Sequence, residues 1–253
     1  SVGFLTLLPA GHKTRWASRV ILVEKPKENP PLGKGGFGRL VCDYRVPNNN
    51  CKRKGAVMTP AWAMLRELAA AQILSLADAY SAFSHLQLGE VARGMYTIST
   101  CLGMAQWVVM PQGPHNAPTE FQSAVNEVFW ELITQGKLRF FVDDGALRTG
   151  RYKLGPPRAE DYEEHLNLLD RFAEIAIEAG LMLKFEKVEF LRRSLECLGY
   201  LVGCGQIRPT EKRIAALLAM EKPLTAVDMM RYLGATGFIR PCMDPRWSHV
   251  VGP

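Results

Sequence analysis

The 253-residue chain has no run of about 18 or more apolar residues, the length a helix needs to cross a bilayer, so a spanning segment is not expected. Its opening SVGFLTLLPAGHK has no basic residue before the apolar run and no small-residue cleavage site, which argues against a signal peptide. Ser1 is not an initiator methionine, and the chain reads as a piece of a longer product. The six cysteines (Cys42, Cys51, Cys101, Cys197, Cys204, Cys242) form no CxxC pair, and no histidine stands at zinc-ligand spacing from them. The five histidines are equally dispersed, so a structural metal site is not expected and reduced thiols are the default. Internal repeats and low-complexity tracts are also absent.

A composition of 47% hydrophobic and 22% charged residues excludes global disorder and leaves room for one large domain or two to three subdomains. The net charge of +6 is unevenly placed: residues 1–60 carry 11 basic and 3 acidic residues, +8, and the remainder sums to −2. Such asymmetry describes either a face that meets a polyanion, nucleic acid or membrane surface, or a basic surface that only confers solubility.

Branched and aliphatic runs predict strands at Ser18–Glu24, Arg39–Tyr44 and Ile73–Ala77. Between the first two, KPKENPPLGKGGFG reads as a mobile basic loop, and Asn48–Asn50 with Lys52–Lys54 as a second polar connection. Phe121, Val125, Val128, Phe129 and Leu132 recur at helical spacing, predicting one helix over Asn116–Gly136. Tyr162, Leu166, Leu169, Phe172 and Ile175 predict another over Glu160–Gly180. In LRFFVDDGALR the Asp144-Gly145 pair is a hairpin-turn signature, which puts Asp143 and Asp144 at or beside the turn. After Gly205 the pattern reads as wholly helical, over Thr210–Met220 and Ala226–Ile239. Strands alternating with helices, then a helical tail, indicate an α/β or α+β core with a helical appendage.

Adjacent aspartates repel unless a cation compensates them, and a two-cation phosphoryl-transfer site needs such crowding. An Asp-Asp-Gly turn alone is common, so a third carboxylate is required. Asp78 is the candidate: it ends the run ILSLAD and has no lysine or arginine within ten residues on either side. A helix cap is the competing description, since Ser81 and Phe83 can begin a short helix.

In order, RLVCDYR, LADAYSAFSHLQL, MPQGPHNAPTEFQ, FVDDGALR, GLMLKFEKVEF and LECLGYLVGCGQIRP resemble the palm motifs of reverse transcriptases. The flanks WASRVILVEK and EKRIAALLAMEKPLTAVDMMRYLGATGFIR resemble those of gypsy-type long-terminal-repeat retrotransposons, so the resemblance spans roughly Trp16 to Arg240. It implies an α+β right-hand polymerase: fingers over 1–53 and 86–116, a ferredoxin-like palm with an antiparallel sheet over 54–85 and 117–204, and part of an α-helical thumb over 205–253. It also implies an RNA-directed DNA polymerase that extends a primer on an RNA or DNA template with deoxynucleoside triphosphates. Two magnesium ions, or manganese in their place, would be cofactors, and ribonuclease H and integrase segments of a polyprotein would be partners. No membrane partner is implied, and the expected location is intracellular, in a cytoplasmic particle or the nucleus.

By the same resemblance Asp78 and Asp143, from the aromatic-x-Asp-Asp motif at Phe141–Asp144, would ligate both ions, with Asp144 in support and the backbone carbonyl of Ala79 as a further ligand. One ion would activate the primer 3′-hydroxyl and the other would bind the triphosphate. Phe83 would underlie the incoming sugar and exclude a 2′-hydroxyl, although a core aromatic describes it equally. Gln112 and Gly113 would contact the sugar and base, Arg39 the nucleotide and its phosphates, and Lys34 the triphosphate. Lys187 would donate a proton to pyrophosphate, or is a surface lysine. Leu198, Gly199 and Tyr200 would form the hairpin that grips the primer.

The sequence departs from the family at Pro114, where a bulky apolar residue is usual, and at Ala79, where a larger aliphatic is usual. Neither is a side-chain metal ligand. Gly33, Gly35 and Gly38 fit the kinase glycine-rich loop, but the V-A-x-K, H-R-D and D-F-G motifs are missing. The alternative to a polymerase is a decayed or domesticated relative that binds nucleic acid without synthesis.

Overall fold

A computed structural model describes residues 3–23, 39–55 and 60–242, with Arg39 described in its backbone only. In chain order the elements are β1 (Leu5–Leu7), β2 (Ser18–Val23), β3 (Arg39–Cys42), α1 (Arg45–Asn50), α2 (Ala61–Ala69), β4 (Ile73–Asp78) and α3 (Glu90–Met95). There follow β5 (Ile98–Thr100), β6 (Gly103–Trp107), α4 (Ala117–Val128), α5 (Trp130–Thr134), β7 (Leu138–Phe141), β8 (Asp144–Thr149) and α6 (Ala159–Glu178). The last are β9 (Glu189–Arg192), β10 (Ser194–Cys197), β11 (Tyr200–Gly203), β12 (Gln206–Pro209), α7 (Glu211–Leu218) and α8 (Ala226–Ile239). They divide between two compact units: one of Ser1–Met58, Ala79–Trp130 and Ile175–Met182, the other of Thr59–Asp78, Glu131–Glu174 and Leu183–Pro253.

The first unit holds a five-stranded sheet in the order β1-β6-β5-β2-β3, in which only β2 and β5 run parallel. Cys42, Tyr44, Leu88, Tyr96, Ile98 and Ala105 form its core, with the Tyr44 and Tyr96 rings edge-on at 5.1 Å. Asn48–Asn50 belongs to helix α1 and not to a loop, because Asn48 serves as a clamp. Its Nδ2 donates to the Gly113 carbonyl at 3.1 Å and its Oδ1 accepts from the His115 N–H at 3.0 Å. Asn116 ties down the Lys52–Lys54 segment in the same manner, accepting from Lys54 N–H and donating to the Lys52 carbonyl.

The second unit carries a four-stranded antiparallel sheet, β7-β8-β4-β9, and a three-stranded one, β10-β11-β12. Met64, Leu65 and Leu68 recur on one face of α2 and pack with Leu74, Ala146, Leu195 and Val202, each fully buried leucine contributing about 2 kcal/mol. Central strand β4 is buried along nearly its whole length, as its mostly apolar run implies. Its polar exception, Ser75, hydrogen-bonds the ring of fully buried His165 at 2.8 Å, and the opposite ring nitrogen meets Thr149 Oγ1 at 2.7 Å. Ser75 Oγ also accepts from the Leu191 N–H at 3.1 Å, where β9 shifts register on β4 and Leu191 adopts a φ of 53°.

Several local expectations are corrected. The helix over Asn116–Gly136 is two, broken at Phe129 (φ −100°, ψ 22°): the break turns Phe129 fully inward and leaves Val128, which the stripe counted as core, 41% exposed. The buried stripe of α6 is His165, Leu168, Phe172 and Ile175, whereas Tyr162 and Leu166 face solvent. An apolar-only count passes over a histidine whose two nitrogens are both satisfied inside. The turn of the β7–β8 hairpin is Val142-Asp143, because Phe141 pairs with Asp144, and Asp144-Gly145 lies within β8. The tail after Gly205 is not wholly helical, since Gln206–Pro209 pairs with β11 before α7 begins. Among the described residues no helix is long and apolar enough to cross a membrane. Lys34 and the glycines Gly33, Gly35 and Gly38 lie outside the described residues.

Candidate active site

Antiparallel pairing of β4 with β8 sets Asp78 directly opposite Asp144, joining carboxylates that are far apart in sequence. Asp143 precedes Asp144 in the two-residue turn, which Val142 permits by adopting a φ of 58°. Gly145 is dictated by close approach: a Cβ there would lie 2.6 Å from Phe140 Cε1, so the ring can fold over the strand only if position 145 has no side chain.

Burial is the first cause that pushes the Asp144 carboxyl up to about 6, and the charges of Asp143 and Asp78 add to it while Lys187 opposes them. Cys197 is almost fully buried, and burial together with the Asp144 charge pushes its thiol up to about 12. The Lys187 ammonium lies 2.6 Å from Asp78 Oδ2, and this hydrogen bond raises the lysine's pKa. The backbone fixes that approach: Lys184 N–H donates to the Asp78 carbonyl at 2.8 Å and opens the 3₁₀ turn Phe185–Lys187. Asp78 is no helix cap, for the 3₁₀ turn at Ala82–His85 is headed by Ser81. Ala79 follows Asp78 and is buried.

Among the described residues no three acidic, histidine or cysteine side chains are already arranged to hold a metal ion. The donor chemistry nevertheless suits a hard divalent cation: three carboxylates share one site with a single ammonium, and like-charge repulsion contributes to raising Asp144.

Within the first unit, Phe83, Gln112, Leu40, Cys42, Ser81 and Ser84 line a cleft of about 350 Å³. The Phe83 ring stands edge-on to Phe121 at 6.2 Å, and Ser81, at a φ of 50°, bonds Ser84 Oγ at 2.9 Å. Gly113 has a φ of 115°, and a Cβ there would press on the Tyr44 ring at 3.1 Å, so Gly113 is required in a loop that Asn48 clamps. Pro114 is buried. Arg39 opens β3, its backbone opposite Val23.

In the second unit Leu198 and Gly199 form the two-residue turn between β10 and β11, both at positive φ, and a side chain at Gly199 would collide with Arg213. Tyr200 is buried: its ring stacks on Phe238 at 4.5 Å and its hydroxyl donates to the Phe238 carbonyl. The structure thus gathers Asp78, Asp143, Asp144 and Lys187 in one unit, and Phe83 and Gln112 around one cleft in the other. Sequence reasoning missed Asn48, Cys197 and the Ser75–His165–Thr149 chain; only the run of three asparagines beside a basic triplet hinted at any of them.

The family model described as reverse transcriptase (RNA-dependent DNA polymerase) matches residues 34–202. The chain belongs to the reverse transcriptase family. This reverse transcriptase domain is 27% identical over 85% of its length to the Pol polyprotein of transposon opus, and 25% identical over 82% to that of transposon gypsy, both from Drosophila melanogaster. It spans about one fifth of those relatives, 20% and 19% of their lengths. Among solved structures, the foamy viral protease-reverse transcriptase dRH in complex with double-stranded DNA matches with a TM-score of 0.77 at 21% identity, over 94% of this chain and 38% of that one. The same viral protein with an RNA/DNA hybrid matches at a TM-score of 0.77 over 98% of this chain and 30% of that one. The fold is therefore the α+β right hand of reverse transcriptases.

Proposed function

We propose that this domain is the polymerase segment of a retrotransposon polyprotein, adding deoxynucleotides to a primer 3′-hydroxyl on an RNA or DNA template. The observation that carries the reading is the facing pair Asp78 and Asp144, with Asp143 beside them. Asp78, Asp143 and Asp144 would hold two divalent cations, magnesium or manganese, with the Ala79 carbonyl as a further oxygen. When bound, those ions supply the positive charge that favours loss of the primer hydroxyl proton and stabilises departing pyrophosphate.

The chain's own residues do the remaining work. Burial and the neighbouring carboxylates hold a proton on metal-free Asp144 with a pKa of about 6, and a cation competes with that proton, so cation binding should strengthen as pH rises toward neutrality. Phe83 would stand under the deoxyribose and reject a 2′-hydroxyl, with Gln112 and Gly113 at the sugar and base, and Arg39 and Lys34 at the phosphates. Lys187 would offer the proton that pyrophosphate takes up. Leu198, Gly199 and Tyr200 would shape the primer-gripping turn, and fingers over 1–53 and 86–116, palm over 54–85 and 117–204 and thumb from 205 follow from the same reading. Template, primer and nucleotides are its partners, with ribonuclease H and integrase segments as neighbours in a polyprotein.

Primer extension on a homopolymeric RNA template tests this. The protein should extend the primer with magnesium or manganese, and Asp143→Asn should abolish extension without lowering the melting temperature. Binding of the duplex without extension would select the second reading, a non-synthesising nucleic-acid binder. That reading draws on one observation, the Asp78 carboxylate already satisfied by Lys187.

A further inference from the structure

We infer that Lys187 is an internal placeholder cation: its ammonium occupies Asp78 while the site is metal-free and must leave when a divalent cation loads. This rests on the reading of Asp78, Asp143 and Asp144 as the metal-binding carboxylates. Four observations converge on it. The Nζ–Oδ2 separation of 2.6 Å is that of a charge-assisted hydrogen bond and not a loose surface pairing. Among the described residues Lys187 is the basic side chain paired with any of the three carboxylates, and no other is. Its backbone is tied to the same strand end, through Lys184 N–H on the Asp78 carbonyl and Lys187 N–H on the Lys184 carbonyl at 2.9 Å. Finally, Asp78 is 8% exposed and the Lys187 side chain 55% exposed, so the lysine reaches a sunken carboxylate from a solvated stem and can swing back to water.

The exchange follows from charge and space. Three carboxylates and one ammonium leave the site negative, so it still attracts a cation while Lys187 is seated. An incoming ion and the ammonium compete for the same oxygen, so pairing of Lys187 and cation binding at Asp78 oppose each other reciprocally. The half-exposed pairing is weak enough to be reversible, yet it keeps Asp78 from being a bare buried carboxylate when no divalent cation is bound. The ammonium released is the group that the polymerase reading assigns to pyrophosphate, so loading the ion and freeing the lysine become one event.

Two readouts independent of synthesis test the inference: manganese affinity by electron paramagnetic resonance, and melting temperature in chelator, for wild type, K187M, D143N, D78N and D78N/K187M. K187M should bind manganese about fivefold more tightly and melt a few degrees lower in chelator, with the lost stability restored by manganese. In the D78N background K187M should lower the melting temperature no further. Unchanged or weaker affinity in K187M overturns the inference, as does tighter affinity with no fall in melting temperature, which would mark a lysine that merely repels the ion. If D143N binds manganese as wild type does, the three-carboxylate reading itself fails; if D143N loses binding while K187M matches wild type, that reading stands and the placeholder alone falls. K187Q repeats the comparison should K187M prove insoluble.

Discussion

Asp144 shows how a single carboxyl can be costly to the fold and useful to its chemistry. Its folded pKa of about 6 lies above the ordinary 3.8, so the folded protein binds the extra proton more readily than the unfolded chain does. Stability therefore falls as pH rises through about 4 to 6, and the penalty is complete near neutrality. Solvent screening of a partly exposed carboxylate brings that penalty to about 1 kcal/mol. Asp144→Asn should accordingly raise the metal-free melting temperature near neutral pH, by an amount thermal denaturation can read, while the gain should disappear at low pH. At Phe83, replacement by valine should relax rejection of ribonucleotides by about 100-fold. Competing ribo- and deoxynucleoside triphosphates in the extension assay would show this, and unchanged discrimination would return Phe83 to a packing role against Phe121.

At the scale of elements, what the sequence revealed depended on the length and purity of each pattern. The run ILSLAD is apolar enough to read as a buried strand, and Gly180, at a φ of 65°, ends α6 close to where its pattern stops. Three-residue strands such as β1 and β5 are too short for any period to register, and the pairings of β1 with β6 and of β5 with β2 join segments distant in sequence. The hairpin turn lies two residues before the Asp144-Gly145 pair because Asp-Gly is a strong turn signal only where its glycine is free to take the turn. Here Gly145 is spent on accommodating the Phe140 ring, and Val142 takes the strained turn position instead. Gly145→Ala should therefore cost about 2 kcal/mol and disturb the Asp78–Asp144 pairing, losing stability and extension together; unchanged stability and extension would mean that the Phe140 ring yields without cost. In the helical tail, Thr225 and Asp228 form a reciprocal cap on α8, with the Thr225 side chain accepting from Asp228 N–H at 3.1 Å. The T-x-x-D spacing was visible in the sequence and unused. The three aspartates were legible for a different reason: their motifs are linear, whereas Lys187 meeting Asp78 and Asn48 meeting Gly113 depend on folding that no window of sequence contains.

For the molecule as a whole, a buried histidine on α6 and a partly buried carboxyl on β8 set opposing pH dependences. His165 is fully buried between Ser75 and Thr149, and burial lowers its pKa to about 4 from the ordinary 6.5. The unfolded chain thus takes up a proton before the folded one, so the contribution of neutral His165 is whole above about 6.5 and is lost as pH falls toward 4. Over that window it amounts to about 3 kcal/mol. Asp144 runs the other way across much of the same range, regaining stability as it protonates below about 6. The two slopes partly cancel, so the metal-free protein should have a flatter acid limb than either group alone would produce. Asp144→Asn removes the compensating slope and should steepen the loss of stability on acidification relative to wild type, whereas His165→Gln should flatten or reverse it. Denaturant melts at stepped pH, read as differences from wild type so that the exposed carboxylates common to all three proteins drop out, distinguish these outcomes. Parallel pH profiles for all three would mean that neither group titrates with a shifted pKa in the folded protein. The raised Asp144 carboxyl would then no longer support a crowded, cation-seeking site.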